Sequence, residues 1–301
     1  MSNREYKHLI KTLNFKDTGG GEYITTLEGL DLEGLDVSFS WGYQRNTGLL
    51  LYDEGTTHLH PYGEVLMFTS LDYNEHDKLG ASIDININGQ CKTVDMPAFI
   101  AIPAGMPHGP IITQYVERPF GFLAVSCSSV RKMRTEAVPQ THNNDDKLVR
   151  SFKMHDMRRP GSGNADYMNA WSGHEINGFK LNFTWAFHSG VGPFHTHDPH
   201  VHPNDECLVF LSLDPDNPYD LGAEIEIDMG TEMEPYVFNT PCAVIAPAGL
   251  VHCPLIVKKV NRPWGFTAIC LNNDHDTTWL GGDPGIPNLY ALPPRQPLDK
   301  I

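Results

Sequence analysis

Hydrophobic residues recur along the chain in short runs separated by glycine, proline, asparagine and aspartate. Examples from the first half are LDVSFSW, EVLMFTSL, ASIDINI and AFIAIP. They are rich in valine, isoleucine and phenylalanine, and some alternate between apolar and polar positions, which is typical of β-strands. Many short strands at this spacing predict an all-β sandwich or barrel.

Helical periodicity is sparse by comparison. The best candidates are REYKHLIKTL, at residues 4–13, and DKLVRSFKMHDM, at residues 146–157. Both lie outside the runs that predict strands, so we expect them to be peripheral helices on an all-β fold.

The strand pattern occurs twice. EGLDVSFSWGY, which begins at Glu33, aligns with NGFKLNFTWAF at a shift of 144 residues. HLHPYGEVLMFTSLD, which begins at His58, aligns with HVHPNDECLVFLSLD at a shift of 142, and PAFIAIPAGMPHGPII aligns with PCAVIAPAGLVHCPLI at 144. Self-similarity at one period indicates a duplicated structural unit.

The duplicated units occupy about residues 20–130 and 165–272, with the polar segment EAVPQTHNNDDKLVR between them. A chain of 301 residues also suits two domains of about 150 residues each. We therefore predict an N-terminal domain at 1–140 and a C-terminal domain at 141–301, which ends in a Pro-rich tail.

Charge narrows the range of partners. The formal net charge is −15, which argues against binding to phosphate backbones or anionic lipid. No apolar run reaches the length of a signal peptide or a membrane span, so we expect a cytoplasmic protein. The six cysteines form no CxxC pair and lie in apolar contexts, the pattern of reduced core thiols.

Histidine stands out with 15 copies, and several of them recur in both units. Residues two apart on a strand point to the same face, so an HxH pair and a glutamate four residues later can all face the inside of a barrel. A histidine after a PAG turn can complete the set from a neighbouring strand. The predicted ligands are His58, His60, Glu64 and His108 in the first unit, and His200, His202, Glu206 and His252 in the second.

These blocks resemble the two cupin motifs, HxHxxxE and PxGxxH, and their duplication resembles a bicupin. The repeats cover about three quarters of the chain, and all eight ligand positions are filled. The asparagine often found four residues after the last histidine is replaced by Ile112 and Ile256, at a position that is not a ligand. The resemblance implies two tandem double-stranded β-helix (jelly-roll) barrels.

Three imidazoles and one carboxylate suit a borderline divalent transition metal. The set accepts manganese, iron, zinc, cobalt or nickel, and we expect one or two ions per chain. If the ion is six-coordinate, two adjacent positions stay open for a substrate.

The second unit carries His195 and His197, which have no basic counterpart in the first unit. They lie on the approach to the second predicted metal, so they are candidate catalytic acid–base groups or substrate donors. An exposed strand edge or a subunit contact is the alternative. Asp205 aligns with Gly63, so Glu206 is the carboxylate predicted to bind the metal. This asymmetry favours the second unit as the working site.

A metal with open positions can chelate a substrate through two oxygens and stabilise a developing enolate or carboxylate. The resemblance thus implies an enzyme acting on a small carboxylate, 1,3-dicarbonyl, enol or catechol-like compound, with C–C bond cleavage favoured. Dioxygenation, decarboxylation and hydrolytic opening of a cyclic diketone stay open, because the fold does not choose among them. Arg118 and Arg262, in repeated RPxGF turns, are interpreted as structural.

Two other classes of function are weighed against an enzyme. A metal-dependent binding or storage bicupin without turnover is the main alternative. A regulatory sensor would bring a DNA-binding segment, and the sequence has no helix-turn-helix pattern or basic patch. We expect a homo-oligomer, because the Pro-rich tail and the outer faces of the barrels suit subunit contacts.

Overall fold

The described residues form β-strands almost throughout. The computed structural model describes residues 4–132, 146–158, 165–176, 178–194 and 199–280. The first unit contains β1 (Ile10–Thr12), β2 (Lys16–Gly19), β3 (Glu22–Leu27), β4 (Ser38–Gln44), β5 (Gly48–Leu49), β6 (Glu64–Ser70), β7 (Ala81–Ile87), β8 (Gln90–Val94), β9 (Ala98–Ile102), β10 (His108–Val116) and β11 (Phe120–Ser126). The second unit contains β12 (Val149–Ser151), β13 (His155–Asp156), β14 (Ala165–Ser172), β15 (Asn182–His188), β16 (Gly192–Pro193), β17 (His200–Val201), β18 (Glu206–Ser212), β19 (Ala223–Met229), β20 (Glu234–Phe238), β21 (Cys242–Ala246), β22 (His252–Val260), β23 (Trp264–Cys270) and β24 (Thr278–Trp279).

Helix is confined, in the described ranges, to three short 3₁₀ segments, Lys7–Leu9, Asp146–Leu148 and Gly173–Glu175. None of the described helices is long and apolar enough to cross a membrane. The tail at 281–301 lies outside the described residues, so the predicted homo-oligomer stays a prediction.

The two units repeat one topology. In the first, β12-β9-β6-β11-β4-β3-β2 form a large sheet and β5-β10-β7-β8 a small one. In the second, β1-β21-β18-β23-β15-β14-β13 form the large sheet and β20-β19-β22-β17-β24 the small one, with β16 beside β22. Side chains from both sheets of the first unit meet in one apolar cluster that includes Phe68, Ile85 and Phe120. The predicted all-β fold of two double-stranded β-helix barrels is confirmed.

The central strands of the large sheets are buried on both faces. Every residue of β4, β6 and β11 is buried. Trp41 on β4 stacks on Trp185 on β15, with ring centroids 5.3 Å apart, so the outer faces of the two large sheets pack against each other. Strand β7 of a small sheet instead alternates buried and half-buried residues, because only one of its faces meets the core.

Each unit contributes one short strand to the large sheet of the other. Strand β1 pairs antiparallel with β21, with Ile10 opposite Val244. Strand β12 pairs antiparallel with β9, with Val149 opposite Ile100. Sheet pairing therefore crosses the proposed boundary near residue 140, and the domain limits 1–140 and 141–301 stay a proposal.

The helix predictions at 4–13 and 146–157 were wrong. Each segment forms a single 3₁₀ turn, at Lys7–Leu9 and Asp146–Leu148, and then continues into β1 or β12. Strands β21 and β9 each offer a backbone edge to these segments, and pairing with that edge overrides a weak local helical spacing.

The duplicated arginines contact acidic side chains near the ends of the barrels. Arg118 lies 3.4 Å from Asp72 and also contacts Glu75, and Arg262 lies 3.0 Å from Asp220. These contacts agree with the structural interpretation of both arginines.

Candidate metal centres

Three of the four predicted ligands of the first unit meet inside the barrel. The donor atoms of His60, Glu64 and His108 lie within 4.8 Å of one another, and all three residues are buried. The Nε2 atoms of His60 and His108 lie 3.6 and 3.7 Å from Oε2 of Glu64. His58 forms a β-bridge with His108, and their ring centroids are 4.3 Å apart. We name this cluster of four residues the first centre.

Backbone carbonyls determine which imidazole nitrogen faces the first centre. Nδ1 of His60 lies 2.6 Å from the carbonyl oxygen of Tyr62, and Nδ1 of His108 lies 3.0 Å from that of Met106. A carbonyl oxygen only accepts, so each Nδ1 carries the proton and each Nε2 offers a lone pair. Both Nε2 atoms are buried and have no hydrogen-bond partner.

The first centre fits a divalent cation. Imidazole lone pairs and a carboxylate converge there, and acceptors that face one another in a buried site repel unless a cation lies between them. Burial raises the pKa of the Glu64 carboxyl, but His108 and His60 in their protonated form outweigh burial and hold that pKa well below its usual range. A bound cation would place positive charge at the same position and leave both imidazoles neutral. Burial lowers the pKa of His58, which favours the neutral imidazole that metal binding requires.

The other carboxylate oxygen of Glu64, Oε1, accepts two hydrogen bonds from side-chain hydroxyls. The hydroxyls of Tyr52 and Ser126 both donate to Oε1, the second at 3.0 Å. Burial and the neighbouring Glu64 raise the pKa of Tyr52 well above its usual value, so the phenol keeps its proton. The Arg131 guanidinium lies 4.0 Å from the centre of the Tyr52 ring. These contacts direct Oε2 of Glu64 toward the histidines.

We expect Tyr52→Phe to weaken Mn²⁺ binding at the first centre by about 10- to 100-fold, the usual effect of removing a hydrogen bond that orients a ligand. The ring stays, so the fold is expected to persist. Electron paramagnetic resonance of free Mn²⁺ during a titration measures the affinity. Tyr115→Phe, at a ring that is exposed, is the control. Equal affinities in the two variants would show that the phenol does not orient Glu64.

The second unit repeats the cluster. The donor atoms of His202, Glu206 and His252 lie within 4.8 Å of one another. The Nε2 atoms of His202 and His252 lie 3.5 and 3.2 Å from Oε2 of Glu206, and both are buried without a hydrogen-bond partner. His200 pairs with His252 across β17 and β22, and their ring centroids are 4.3 Å apart. We name these four residues the second centre.

The tautomers and charge states of the second centre follow the first. Nδ1 of His252 lies 3.0 Å from the carbonyl oxygen of Leu250, and Nδ1 of His202 lies 2.9 Å from that of Asp276. Burial lowers the pKa of His202. Burial raises the pKa of the Glu206 carboxyl, but His252 and His275 in their protonated form outweigh burial and hold that pKa well below its usual range. A bound cation would supply the positive charge in place of the proton on His252. The second centre therefore also fits a divalent cation.

The structure adds side chains that sequence reasoning missed. Sγ of Cys270 lies 3.3 Å and Nε2 of His275 lies 3.2 Å from Oε1 of Glu206. Cys253 joins His200 and His252 in a further group whose possible donor atoms lie within 4.8 Å of one another. The internal repeat could have revealed them, because at a shift of 144 Cys270 aligns with Ser126, Cys253 with Gly109 and His275 with Arg131, so each differs between the units.

Three further residues were singled out in the sequence, namely Asp205, His195 and His197. Asp205 accepts a hydrogen bond from the backbone N–H of Ala248 at 2.8 Å, so it ties its loop to the PAG turn. His195 and His197, the predicted catalytic residues, lie outside the described residues, and their role stays a prediction.

The fold occurs in solved structures. A serine-to-alanine variant of oxalate decarboxylase from Bacillus subtilis matches with a TM-score of 0.60 at 10% identity, covering 90% of this chain and 79% of that one. A tryptophan-to-tyrosine variant of the same protein matches with a TM-score of 0.58, again at 10% identity with coverage of 90% and 79%. A third structure of that decarboxylase, from work on its Mn(II) centres, has a TM-score of 0.59, 10% identity and the same coverage.

No protein-family model matches the sequence, and the comparison with curated proteins finds no match. At this level of identity, the structural similarity establishes the shared fold.

Proposed function

We propose that this protein is a metal-dependent bicupin enzyme that binds a divalent transition metal in each barrel and cleaves a C–C bond in a small oxygenated compound. The observation that carries the proposal is the set of four buried Nε2 atoms, on His60, His108, His202 and His252, which lack a hydrogen-bond partner and face a buried glutamate. Neutral imidazoles and an ionised carboxylate are the usual ligands of manganese, iron, cobalt, nickel and zinc.

A bound metal would hold two oxygens of the substrate and stabilise the negative charge that develops as the bond breaks. The chain supplies the surroundings of that site. The two glutamates keep one oxygen on the metal side, while hydroxyl, thiol and imidazole groups hold the other. Apolar side chains such as Phe68, Phe122, Phe210 and Phe266 fill the barrels and exclude water.

Two features support decarboxylation as the first reaction to test, with manganese as the first metal. The structural neighbours are oxalate decarboxylases, and one of them is described with Mn(II) centres. Carboxylates also belong to the substrate classes that two open metal positions can chelate. Dioxygenation and hydrolytic ring opening are the competing reactions.

An activity screen of the Mn²⁺-loaded protein distinguishes these reactions. Oxalate, acetylacetone, catechol and cyclohexane-1,3-dione would each be incubated with and without oxygen, and carbon dioxide release, oxygen uptake and ring-opened product would be measured. Carbon dioxide without net oxygen consumption supports decarboxylation, whereas product that forms only with matching oxygen uptake supports dioxygenation. Metal-free protein is the control for each substrate.

A binding or storage protein without turnover is the second candidate. The cavity beside Glu206, lined by His202, Cys270 and His275 among others, has a volume of about 10 Å³, which is room for one water molecule. That size favours a site that holds a metal without admitting a substrate. Full metal occupancy with no turnover of any screened compound would support this candidate over the enzyme.

A further inference from the structure

The segment that follows β23, residues 272–280, lies over the second centre. Strand β24 within it pairs with β17, which places Trp279 opposite His200, with ring centroids 4.9 Å apart. The carbonyl oxygen of Asp276 accepts from Nδ1 of His202 at 2.9 Å, and the N–H of Leu280 donates to the carbonyl of Pro199 at 2.8 Å. The segment therefore touches the predicted metal ligands His200 and His202, and it pairs with the strand that carries His200.

The two centres differ in the groups that donate a hydrogen bond to Oε1 of the glutamate. In the first centre, two hydroxyls donate to Oε1 of the glutamate. In the second, Cys270 replaces Ser126, and a thiol is a weaker donor than a hydroxyl. The Nε2 atom of His275 lies 3.2 Å from the same oxygen. His275 thus supplies from the C-terminal segment the strong donor that Tyr52 supplies in the first centre.

His275 occupies the position in the second unit that Arg131 occupies in the first. It follows the end of β23 by the same number of residues as Arg131 follows the end of β11. Arg131 stacks on the phenol ring that contacts Glu64, whereas His275 contacts Glu206 directly. Equivalent residues of the two units therefore act on the glutamate of each centre. Arg131 acts on Glu64 through Tyr52, and His275 contacts Glu206 directly.

The two donors differ in exposure. The His275 side chain is 46% exposed, and Tyr52 is 7% exposed. His275 also lines the small cavity beside Glu206, together with His202. The His202 ring is buried, and its Nε2 atom has no hydrogen-bond partner. Water can thus reach the donor of Glu206 more easily than the donor of Glu64.

We propose that His275 is a positioning residue of the second centre, which holds Oε1 of Glu206 so that Oε2 faces the metal, and that this exposed contact makes the second centre exchange its metal faster than the first. The inference rests on the proposed metal-dependent function. It concerns a residue outside the motif positions and assigns the C-terminal segment to the site.

The test uses the full chain in a His58→Ala/His60→Ala background, where only the second centre binds metal. His275→Ala is expected to lower the Mn²⁺ affinity by about 10- to 100-fold and to speed release to a chelator to a similar extent. His275→Gln is expected to restore most of the affinity, because its amide N–H can donate to Glu206. His155→Ala, at an exposed histidine on β13, is expected to match the background protein.

The wild-type protein gives an independent readout. Mn²⁺ release to a chelator is expected in two phases, and His275→Ala should accelerate only the faster one. A faster phase that belongs to the first centre, or an affinity of His275→Ala equal to that of His155→Ala, overturns the inference while leaving metal binding intact. A wild-type protein that binds no divalent metal overturns the proposed function itself. In this otherwise wild-type chain, the unchanged first-centre phase reports that the His275→Ala variant is folded.

Discussion

Replacement of both His202 and His252 by alanine is expected to remove one of the two metal equivalents that we propose for this protein. These residues provide two Nε2 atoms that lie 3.5 and 3.2 Å from Oε2 of Glu206, and both are buried without another partner. With two imidazoles gone, the remaining ligands no longer provide the donor set that a transition metal prefers. Elemental analysis of protein loaded with Mn²⁺ and then desalted measures the loss.

The same substitution pair in the first unit, His60→Ala with His108→Ala, is the matched variant. It is expected to remove the other equivalent and to leave the second centre filled. Metal that binds only the folded state stabilises it by about 2.7 kcal/mol at a free concentration of 100 times Kd, so thermal melts with and without Mn²⁺ give a second readout. Two full equivalents in either double variant would mean that the ligands are other residues.

Trp41→Ala is expected to reduce the free energy of unfolding by about 3–5 kcal/mol, the range found when large buried aromatic residues are truncated. Trp41 is fully buried and stacks on Trp185 at 5.3 Å, and both belong to the apolar cluster that spans the two units. Truncation leaves a cavity between two large sheets whose strands are held on both faces and cannot easily collapse into it.

Guanidinium denaturation measures this effect. Leu30→Ala, at a side chain that is 92% exposed, is the control and is expected to change stability by less than about 0.5 kcal/mol. A double-mutant cycle with Trp185→Ala is expected to show coupling of about 0.5–3 kcal/mol, as for other residues in contact. Additive losses would indicate that Trp41 and Trp185 contribute independently and that their stack adds no interaction energy.

Much of the site could be predicted from the positions of the motif residues relative to the strands. Glu64 and Glu206 each begin a strand, and His108 and His252 each begin another, so the motif residues lie at equivalent strand ends in the two units. The alternation of β7 and the continuous apolar run of β6 were visible in the sequence because burial on one face or on two sets the pattern directly. The internal repeat then allowed each ligand assignment to be made twice.

The sequence alone could not predict which segments approach these ligands from a distance. Tyr52 and His275 reach the glutamates from loops, and loop paths leave no periodicity to recognise. The exchange of β1 and β12 between the large sheets likewise depends on edges that only the folded units present.

The amino-acid sequence by itself thus determined the duplicated β-fold and predicted the eight ligands, because strand alternation and repeat spacing can be read along the chain. Only the tertiary structure decided which nitrogen of each imidazole faces inward and which side chains hold the two glutamates. Those outcomes depend on backbone carbonyls and donors brought together from distant parts of the chain.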